Sequence, residues 1–327
     1  MTTIPSYVIG LDIGGTSMVA GVIASQNAQI LSRRSVPTDS GRGRDDGLRR
    51  ISQLINQVIQ EAAVAREQVG GIGIGSTGPV DPLKGLIQNP YTLPGWDDLP
   101  IVAHLTADFK LPVCLIGDCQ AAVLGEQWAG AGQGAKHVLY ITVGTGIGGG
   151  LIVNGRLHRG VGFVASEVGH QVIDLNGPDC YCGAKGCWEM LAAGPAIARR
   201  AAEGVPADSL LLTLANHDRE KISARLVAQA AEQGDPFAID MQNQTAFYLA
   251  VGLANLLNIV APEVAILGGG VLGSWPVFEP IILKTVRHRA AMVPIDQIRI
   301  VPALLGLNAG ITGAGRAILA AIDGTLD

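Results

Sequence analysis

The chain has 327 residues, of which 48% are apolar and only 16% are charged, so it can bury a large core and is not a disordered chain. Its formal net charge is −5, and basic residues are dense only over residues 42–50, which argues against a nucleic-acid binder. No basic segment followed by an apolar run opens the sequence, and the longest apolar stretch, residues 246–261, contains Asn255 and Asn258. We therefore expect a cytoplasmic protein without a membrane span.

The opening segment predicts a β-hairpin, because the apolar runs Tyr7–Ile13 and Met18–Ala24 flank the glycine turn Gly14–Thr16. A third strand is expected near Ile30–Val36. Leu48–Ala65 places its apolar residues on one face of a helix. Further elements are predicted at Gly71–Gly75 (strand), Leu111–Ile116 (strand), Ala121–Trp128 (helix), Asp240–Val260 (helix), Val264–Leu267 (strand) and Ala309–Ile322 (helix).

The pattern of the opening hairpin returns roughly 130 residues later. A strand is predicted at Val138–Val143, a glycine turn at Gly144–Gly150 and a returning strand at Leu151–Val153. Asn154-Gly155 is then typical of a tight hairpin turn. This weak internal duplication indicates two similar α/β domains that face each other.

Three glycine-rich turns, at residues 14–16, 144–150 and 268–270, follow predicted strands. Glycine lets the backbone approach a phosphate and aim its N–H groups at the oxygens. None of the turns has the Walker A or dinucleotide-binding pattern. One such turn alone is more often a plain hairpin, but two similar turns in repeated units favour phosphate binding. Beside the first turn, Asp12 is placed to hold Mg²⁺ or its waters, or else to cap the turn.

A second cluster combines one imidazole with three of the five cysteines. His170, Cys180, Cys182 and Cys187 have the spacing His-x9-Cys-x-Cys-x4-Cys. Three thiolates and one imidazole complete a tetrahedral Zn²⁺ shell and leave no open position for catalysis. Free buried thiols are the alternative. We predict a structural zinc that orders the surrounding loop.

Four motifs together resemble the ROK family (repressors, open reading frames and kinases) over about residues 7–320. They are Asp12-Ile-Gly-Gly-Thr16, Gly144-Thr-Gly-Ile-Gly-Gly-Gly150, Glu167-Val-Gly-His170 and Cys180-Tyr-Cys-Gly-Ala-Lys-Gly-Cys187-Trp-Glu189. The resemblance implies an α/β, actin-like (ribonuclease H-like) duplicated two-domain ATPase fold with an interdomain cleft. We expect an N-terminal domain over residues 1–118 plus a C-terminal helix at about 309–327, and a larger domain over residues 119–308 that carries the zinc loop.

For most members the resemblance implies ATP-dependent phosphorylation of a hexose or amino sugar, with glucokinases as well-known cases. ATP, catalytic Mg²⁺ and structural Zn²⁺ are the implied cofactors. The implied partners are a small sugar and a second copy of the chain, in a homodimer or homotetramer. The alternatives are an N-acetylmannosamine kinase or another kinase of a non-glucose sugar or polyol, and a catalytically weak sugar-binding relative.

The resemblance also assigns roles to individual residues. Asp118 matches the catalytic aspartate, which would accept the proton of the attacking hydroxyl. Without the resemblance, a helix N-cap is an equally good interpretation of Asp118. Glu167, His170 and Glu189 match positions that bind sugar hydroxyls, and His170 would use its two ring nitrogens for zinc and sugar. The other expected sugar-binding residues are Gly78, Asn89 and Thr92. The expected nucleotide-binding residues are Asp12, Gly14, Gly15, Thr16, Gly144, Thr145, Gly146, Gly268, Gly269 and Gly270.

Several positions depart from the family pattern. Ser17 replaces a usual Lys, Thr92 replaces a frequent Asn, and Gly117 replaces an Asn that binds the sugar. Loss of that amide removes a hydrogen bond and leaves room for water or a bulkier substituent. The repressor branch carries a helix-turn-helix segment before the first glycine motif, whereas six residues precede Tyr7 here. We therefore expect a kinase rather than a repressor.

Overall fold

The computed structural model of the chain describes residues 4–89 and 92–326. Its strands are β1 (Tyr7–Ile13), β2 (Ser17–Ala24), β3 (Ile30–Pro37), β4 (Val69–Ser76), β5 (Val80–Asp81), β6 (Leu86–Ile87), β7 (Val113–Gly117), β8 (Val138–Val143), β9 (Ile147–Val153), β10 (Arg156–Leu157), β11 (Val264–Gly268) and β12 (Arg299–Pro302). Its α-helices are α1 (Arg44–Ala62), α2 (Ile101–Phe109), α3 (Asp118–Ala129), α4 (Trp188–Ala192), α5 (Gly194–Gly204), α6 (Leu210–Leu214), α7 (Ala224–Glu232), α8 (Pro236–Val260), α9 (Trp275–Arg289) and α10 (Ala309–Asp323).

The first five-stranded sheet has the order β3-β2-β1-β4-β7. Strand β1 pairs antiparallel with β2 and parallel with β4, and β4 pairs parallel with β7. On one face, Ile9, Leu11 and Ile13 enter the core that α1 completes. On the other face, Val8 packs with Ile318 of α10. Both faces are covered, which explains the almost continuous apolar runs of these strands.

Glycines let α10 approach this sheet closely. A Cβ atom at Gly10 would collide with the carbonyl oxygen of Ile311, and one at Gly73 would collide with that of Ala314. Side chains of a strand alternate between faces, so Asp12 shares the α10 face with Gly10. The close packing therefore brings Asp12 to the first turn of α10.

The second five-stranded sheet has the order β10-β9-β8-β11-β12. Asn154 and Gly155 join β9 to β10 with φ angles of 53° and 77°, as a tight hairpin turn requires. If the five strands of each sheet are numbered 1 to 5 along the chain, both sheets have the same spatial order, 3-2-1-4-5. The duplication predicted from the sequence is confirmed.

One predicted turn is wrong in its second half. The sequence placed a glycine turn over Gly144–Gly150, but β9 already begins at Ile147. Gly150 lies inside that strand. Glycine is needed there because a Cβ atom would stand 2.6 Å from the carbonyl oxygen of Cys119. Here glycine serves close packing of strand β9 rather than a turn.

The chain divides into two compact units. The first comprises Met1–Tyr140, Gly150–Ser166 and Ala303–Asp327, and the second comprises Ile141–Gly149 and Glu167–Pro302. The domain boundaries expected from the sequence stay a prediction. Among the helices of residues 4–89 and 92–326, none combines the length and apolar character that crossing a bilayer requires.

Candidate active site

Two carboxylates lie at the carboxyl ends of β1 and β7, the parallel strands on either side of β4 in the first unit. Asp12 of β1 is in register with Gly75 of β4, and Ser76 of β4 is in register with Gly117, the last residue of β7. Asp118 follows directly as the first residue of α3. Gly117, not Asp118, occupies the N-cap position, so the N-cap interpretation of Asp118 is wrong.

Both carboxyl groups have raised pKa values. Burial, and then the charge of Asp118, raise the pKa of Asp12 to about 7, while Arg33 acts in the opposite direction. Burial also raises the pKa of Asp118, although its carboxylate accepts a hydrogen bond of 2.7 Å from the backbone N–H of Cys119. Two acids of this kind favour a shared proton or a bound cation.

A glycine in α10 makes room for the Asp12 carboxylate. A Cβ atom at Gly310 would collide with the Asp12 carboxylate oxygens. Gly310 lies in the first turn of a helix of 15 residues, where the helix dipole favours a negative charge. The sequence analysis missed Gly310, because nothing local in the sequence connects it to β1.

The first glycine turn is held by a buried threonine. The backbone N–H of Gly14 donates to the Ser17 carbonyl at 3.0 Å. Thr38 donates through its hydroxyl to the Gly14 carbonyl at 2.6 Å and through its backbone N–H to the Thr16 carbonyl at 2.9 Å. Gly15 and Thr16, at the tip of the turn, stay exposed. Thr38 was not among the predicted site residues.

Of the expected sugar-binding residues in the first unit, Thr92 lies next to this turn and Asn89 is bonded to Thr92. Asn89 is fully buried, and its side chain donates to the Thr92 hydroxyl at 2.5 Å and accepts from the Thr92 backbone N–H at 3.0 Å. A Cβ atom at Gly15 would stand 3.1 Å from the Thr92 carbonyl oxygen, so the glycine turn and Thr92 are neighbours. Gly78 is exposed. Sugar contact by these residues stays a prediction.

A cavity of about 720 Å³ in the second unit opens beside the other two glycine turns. Gly144, Thr145 and Gly270 line it, together with residues of α5, α7, α8 and α9. Gly269 has a φ of +97°, and a Cβ atom there would collide with the backbone of Val143, so only glycine fits. A cavity of this volume is large enough for a nucleoside. Helical residues of the lining that the sequence analysis missed are Arg225, Gln242, Thr245 and Phe278.

The predicted zinc ligands come together in the second unit. The ligand atoms of His170, Cys180, Cys182 and Cys187 all lie within 4.8 Å of one another. Nδ1 of His170 is 3.6 Å from Cys180 Sγ, and the Sγ atoms of Cys182 and Cys187 are 3.6 Å apart. Zn–S bonds of about 2.3 Å in a tetrahedral shell imply sulfur atoms about 3.8 Å apart. The four side chains therefore fit a zinc ion.

Of the expected sugar-binding residues, one belongs to this cluster and another follows it directly. Glu189 follows it in α4, and one carboxylate oxygen accepts from the Ile147 backbone N–H at 2.8 Å. Nε2 of His170 lies 3.3 Å from the hydroxyl of Tyr181, a residue that the sequence analysis did not single out. Glu167 is exposed, three residues before His170. His170, within the cluster, and Glu189 thus lie in one region of the second unit.

The repeated sheets, the acidic pair and the glycine-lined cavity define an α/β protein of the actin-like ATPase class. The sequence pattern of the ROK family matches residues 8–321. The glucokinase of Thermotoga maritima is 35% identical over 321 residues, which cover 97% of this chain and 98% of that protein.

Two solved structures extend this similarity. The ROK hexokinase from Thermus thermophilus has a TM-score of 0.82 and 34% identity, with 97% of this chain and 100% of that chain covered. A ROK family glucokinase from Streptomyces griseus, solved with glucose and AMPPNP, has a TM-score of 0.77 and 33% identity, with 94% and 98% covered. The chain belongs to the ROK family, and the predicted family and fold class are confirmed.

Proposed function

We propose that this chain is an ATP-dependent sugar kinase that phosphorylates a hexose, with glucose as the first candidate. Relatives described as glucokinases and a hexokinase, similar over almost the whole chain, support this function. Within the chain, the observation that carries it is the pair Asp12 and Asp118 at the ends of β1 and β7. A phosphotransferase needs both a base and a place for a cation among carboxylates.

Asp118 is the general base in this proposal. Its carboxylate accepts the proton of the attacking sugar hydroxyl, and the raised pKa brings its basicity closer to the working pH. The N–H of Cys119 donates to one carboxylate oxygen at 2.7 Å and so orients the carboxylate.

Asp12 is the residue that would hold Mg²⁺ or its waters. When bound, the cation neutralises the negative charge of the phosphates. The helix dipole of α10 favours a negative charge on Asp12, whereas the charge of the neighbouring Asp118 disfavours it. A bound cation would offset the repulsion between the two carboxylates.

The glycine turns are proposed to donate backbone N–H groups to phosphate oxygens. These residues are Gly14, Gly15, Thr16, Gly144, Thr145 and Gly146. The cavity beside Gly268, Gly269 and Gly270 would accept the nucleoside, and its largely aliphatic lining suits an adenine ring.

Glu167, His170 and Glu189 are proposed to bind sugar hydroxyls, with Gly78, Asn89 and Thr92 as further contacts. His170 would ligate zinc through Nδ1, which faces Cys180, and turn Nε2 to the sugar. A zinc ion here would have a structural role, since the four protein ligands would fill its coordination shell. A homodimer or homotetramer and a cytoplasmic location remain expectations.

The identity of the sugar is the least constrained part of the proposal. A Cβ atom at Gly117 would make ordinary van der Waals contact with the Gln120 side chain at 3.8 Å, so a side chain would fit at this position, where the chain has none. The missing side chain supports the alternative of a kinase for a substituted or non-glucose sugar.

A coupled assay of ADP release tests the function across glucose, mannose, N-acetylglucosamine, N-acetylmannosamine and inositols. We expect turnover with at least one hexose, and a loss of about 100-fold or more in Asp118→Asn. Asp240→Asn, which changes an exposed aspartate of α8, is the matched control and should keep full activity. Background rates with every sugar, or full activity in Asp118→Asn, would overturn the proposal.

A further inference from the structure

Tyr181 lies between two of the zinc-cluster cysteines, Cys180 and Cys182, and its side chain bends over the imidazole of His170. The phenol oxygen is 3.3 Å from His170 Nε2. The two rings meet edge to face, with centroids 5.1 Å apart and an interplanar angle of 87°. Nonetheless Tyr181 is 77% exposed, so it is not part of a packed core.

The two nitrogens of His170 have different neighbours. Nδ1 faces Cys180 Sγ at 3.6 Å and belongs to the metal cluster. An imidazole that ligates a metal through one nitrogen carries its proton on the other. Nε2–H is therefore a hydrogen-bond donor, and the Tyr181 oxygen is the acceptor that lies within reach.

A sugar hydroxyl that binds His170 from outside the cluster would need a position within reach of Nε2–H. The Tyr181 oxygen already lies at such a position, 3.3 Å from Nε2.

We propose that Tyr181 is a specificity-determining residue whose phenol occupies, in the sugar-free protein, the place of a sugar hydroxyl at Nε2 of His170. The inference rests on the proposed role of His170 in sugar binding. Binding then requires the phenol to rotate away, which its high exposure permits without opening a hole in a core. A sugar must replace this existing hydrogen bond before it gains any, so Tyr181 weakens the binding of every sugar that uses this position.

The test compares the protein with its Tyr181→Phe variant, which keeps the ring and removes the hydroxyl. We expect the KM for the sugar substrate and the Kd for the same sugar, measured by calorimetry without nucleotide, to fall about fivefold. The effect should fall on KM rather than on kcat, and zinc content should not change. Tyr248→Phe, which alters another phenol of the same unit, is the matched control and should leave both constants unchanged.

An unchanged or higher Kd in Tyr181→Phe would overturn the inference, because the phenol then either does not compete or binds the sugar itself. Failure of the proposed function gives a different result. In that case neither protein binds or phosphorylates any sugar of the panel, whereas failure of the Tyr181 inference alone leaves a working kinase with equal constants.

Discussion

At the scale of single residues, the electrostatic environment of Asp12 connects stability with pH. Its pKa rises to about 7 in the folded chain because of burial and the neighbouring Asp118, whereas an unfolded aspartate titrates at about 3.9. Between these two values the folded state binds more protons than the unfolded state. The contribution of Asp12 to the free energy of unfolding therefore falls as pH rises from about 4 to about 7 and changes little above that.

Replacement of Asp12 by Asn should remove the loss of stability that ionisation of Asp12 causes. Without nucleotide or metal, we expect Asp12→Asn to be more stable than the original chain at pH 8 by at least about 1 kcal/mol, with a gap that shrinks toward pH 4. Urea unfolding at both pH values measures the gap. A variant that is less stable at pH 8 would show that the Asp12 carboxylate is favourably paired rather than strained by burial.

The missing side chain at Gly117 leads to a second prediction at this scale. Gly117 has ordinary backbone angles, φ −67° and ψ 152°, so another residue fits there without strain. If the substrate is glucose, Gly117→Asn should lower its KM about fivefold by adding an amide partner. Gly117→Ala adds a Cβ atom without the amide and should change little. Equal KM values in all three proteins would remove position 117 from sugar binding.

At the scale of elements, close packing of α10 on the first sheet sets the geometry of the acidic pair. Gly310 must lack a side chain because the Asp12 carboxylate fills that space. We expect Gly310→Ala to lower kcat at least about tenfold and stability by about 1–3 kcal/mol. Gly41→Ala, at a position with nothing within 4 Å, is the control. Stabilisation by Gly310→Ala would instead indicate a simple gain in helix propensity.

The zinc loop is the second element with a direct test. Three cysteines and one histidine with ligand atoms within 4.8 Å predict about one zinc per chain after mild chelator treatment. Cys187→Ser should lose the metal and sugar affinity together, because His170 belongs to the cluster and Glu189 lies two residues after Cys187. Cys114→Ala, outside the cluster, should keep the zinc. Metal analysis that finds none in the unaltered chain would contradict the site.

Features formed by residues that are close together along the chain could be predicted from the sequence. The opening hairpin and the zinc ligands follow from residues close together along the chain, and both appear in the structure. Gly310 could not be found in this way, because its neighbour Asp12 lies at the opposite end of the sequence. Similarly, Arg225 and Gln242 reach the cavity only through the packing of α7 and α8, which no motif encodes.

At the scale of the whole molecule, duplication accounts for the fold. Both five-stranded sheets repeat one strand order, although the second copy carries its glycines partly within β9 rather than in a turn. The first unit carries the acidic pair, and the second carries the cavity and the zinc cluster. The two units thus share one sheet topology but carry different candidate functional groups.

Separating sugar binding from phosphoryl transfer in Asp118→Asn tests the central claim most directly. We expect the variant to bind glucose, or the sugar that the panel selects, with a Kd within about threefold of the unaltered chain. We also expect it to form the sugar phosphate at least about 100-fold more slowly, as mass spectrometry of the product would show. Sugar phosphate formed at the original rate by the variant would contradict the assignment of Asp118 as the base.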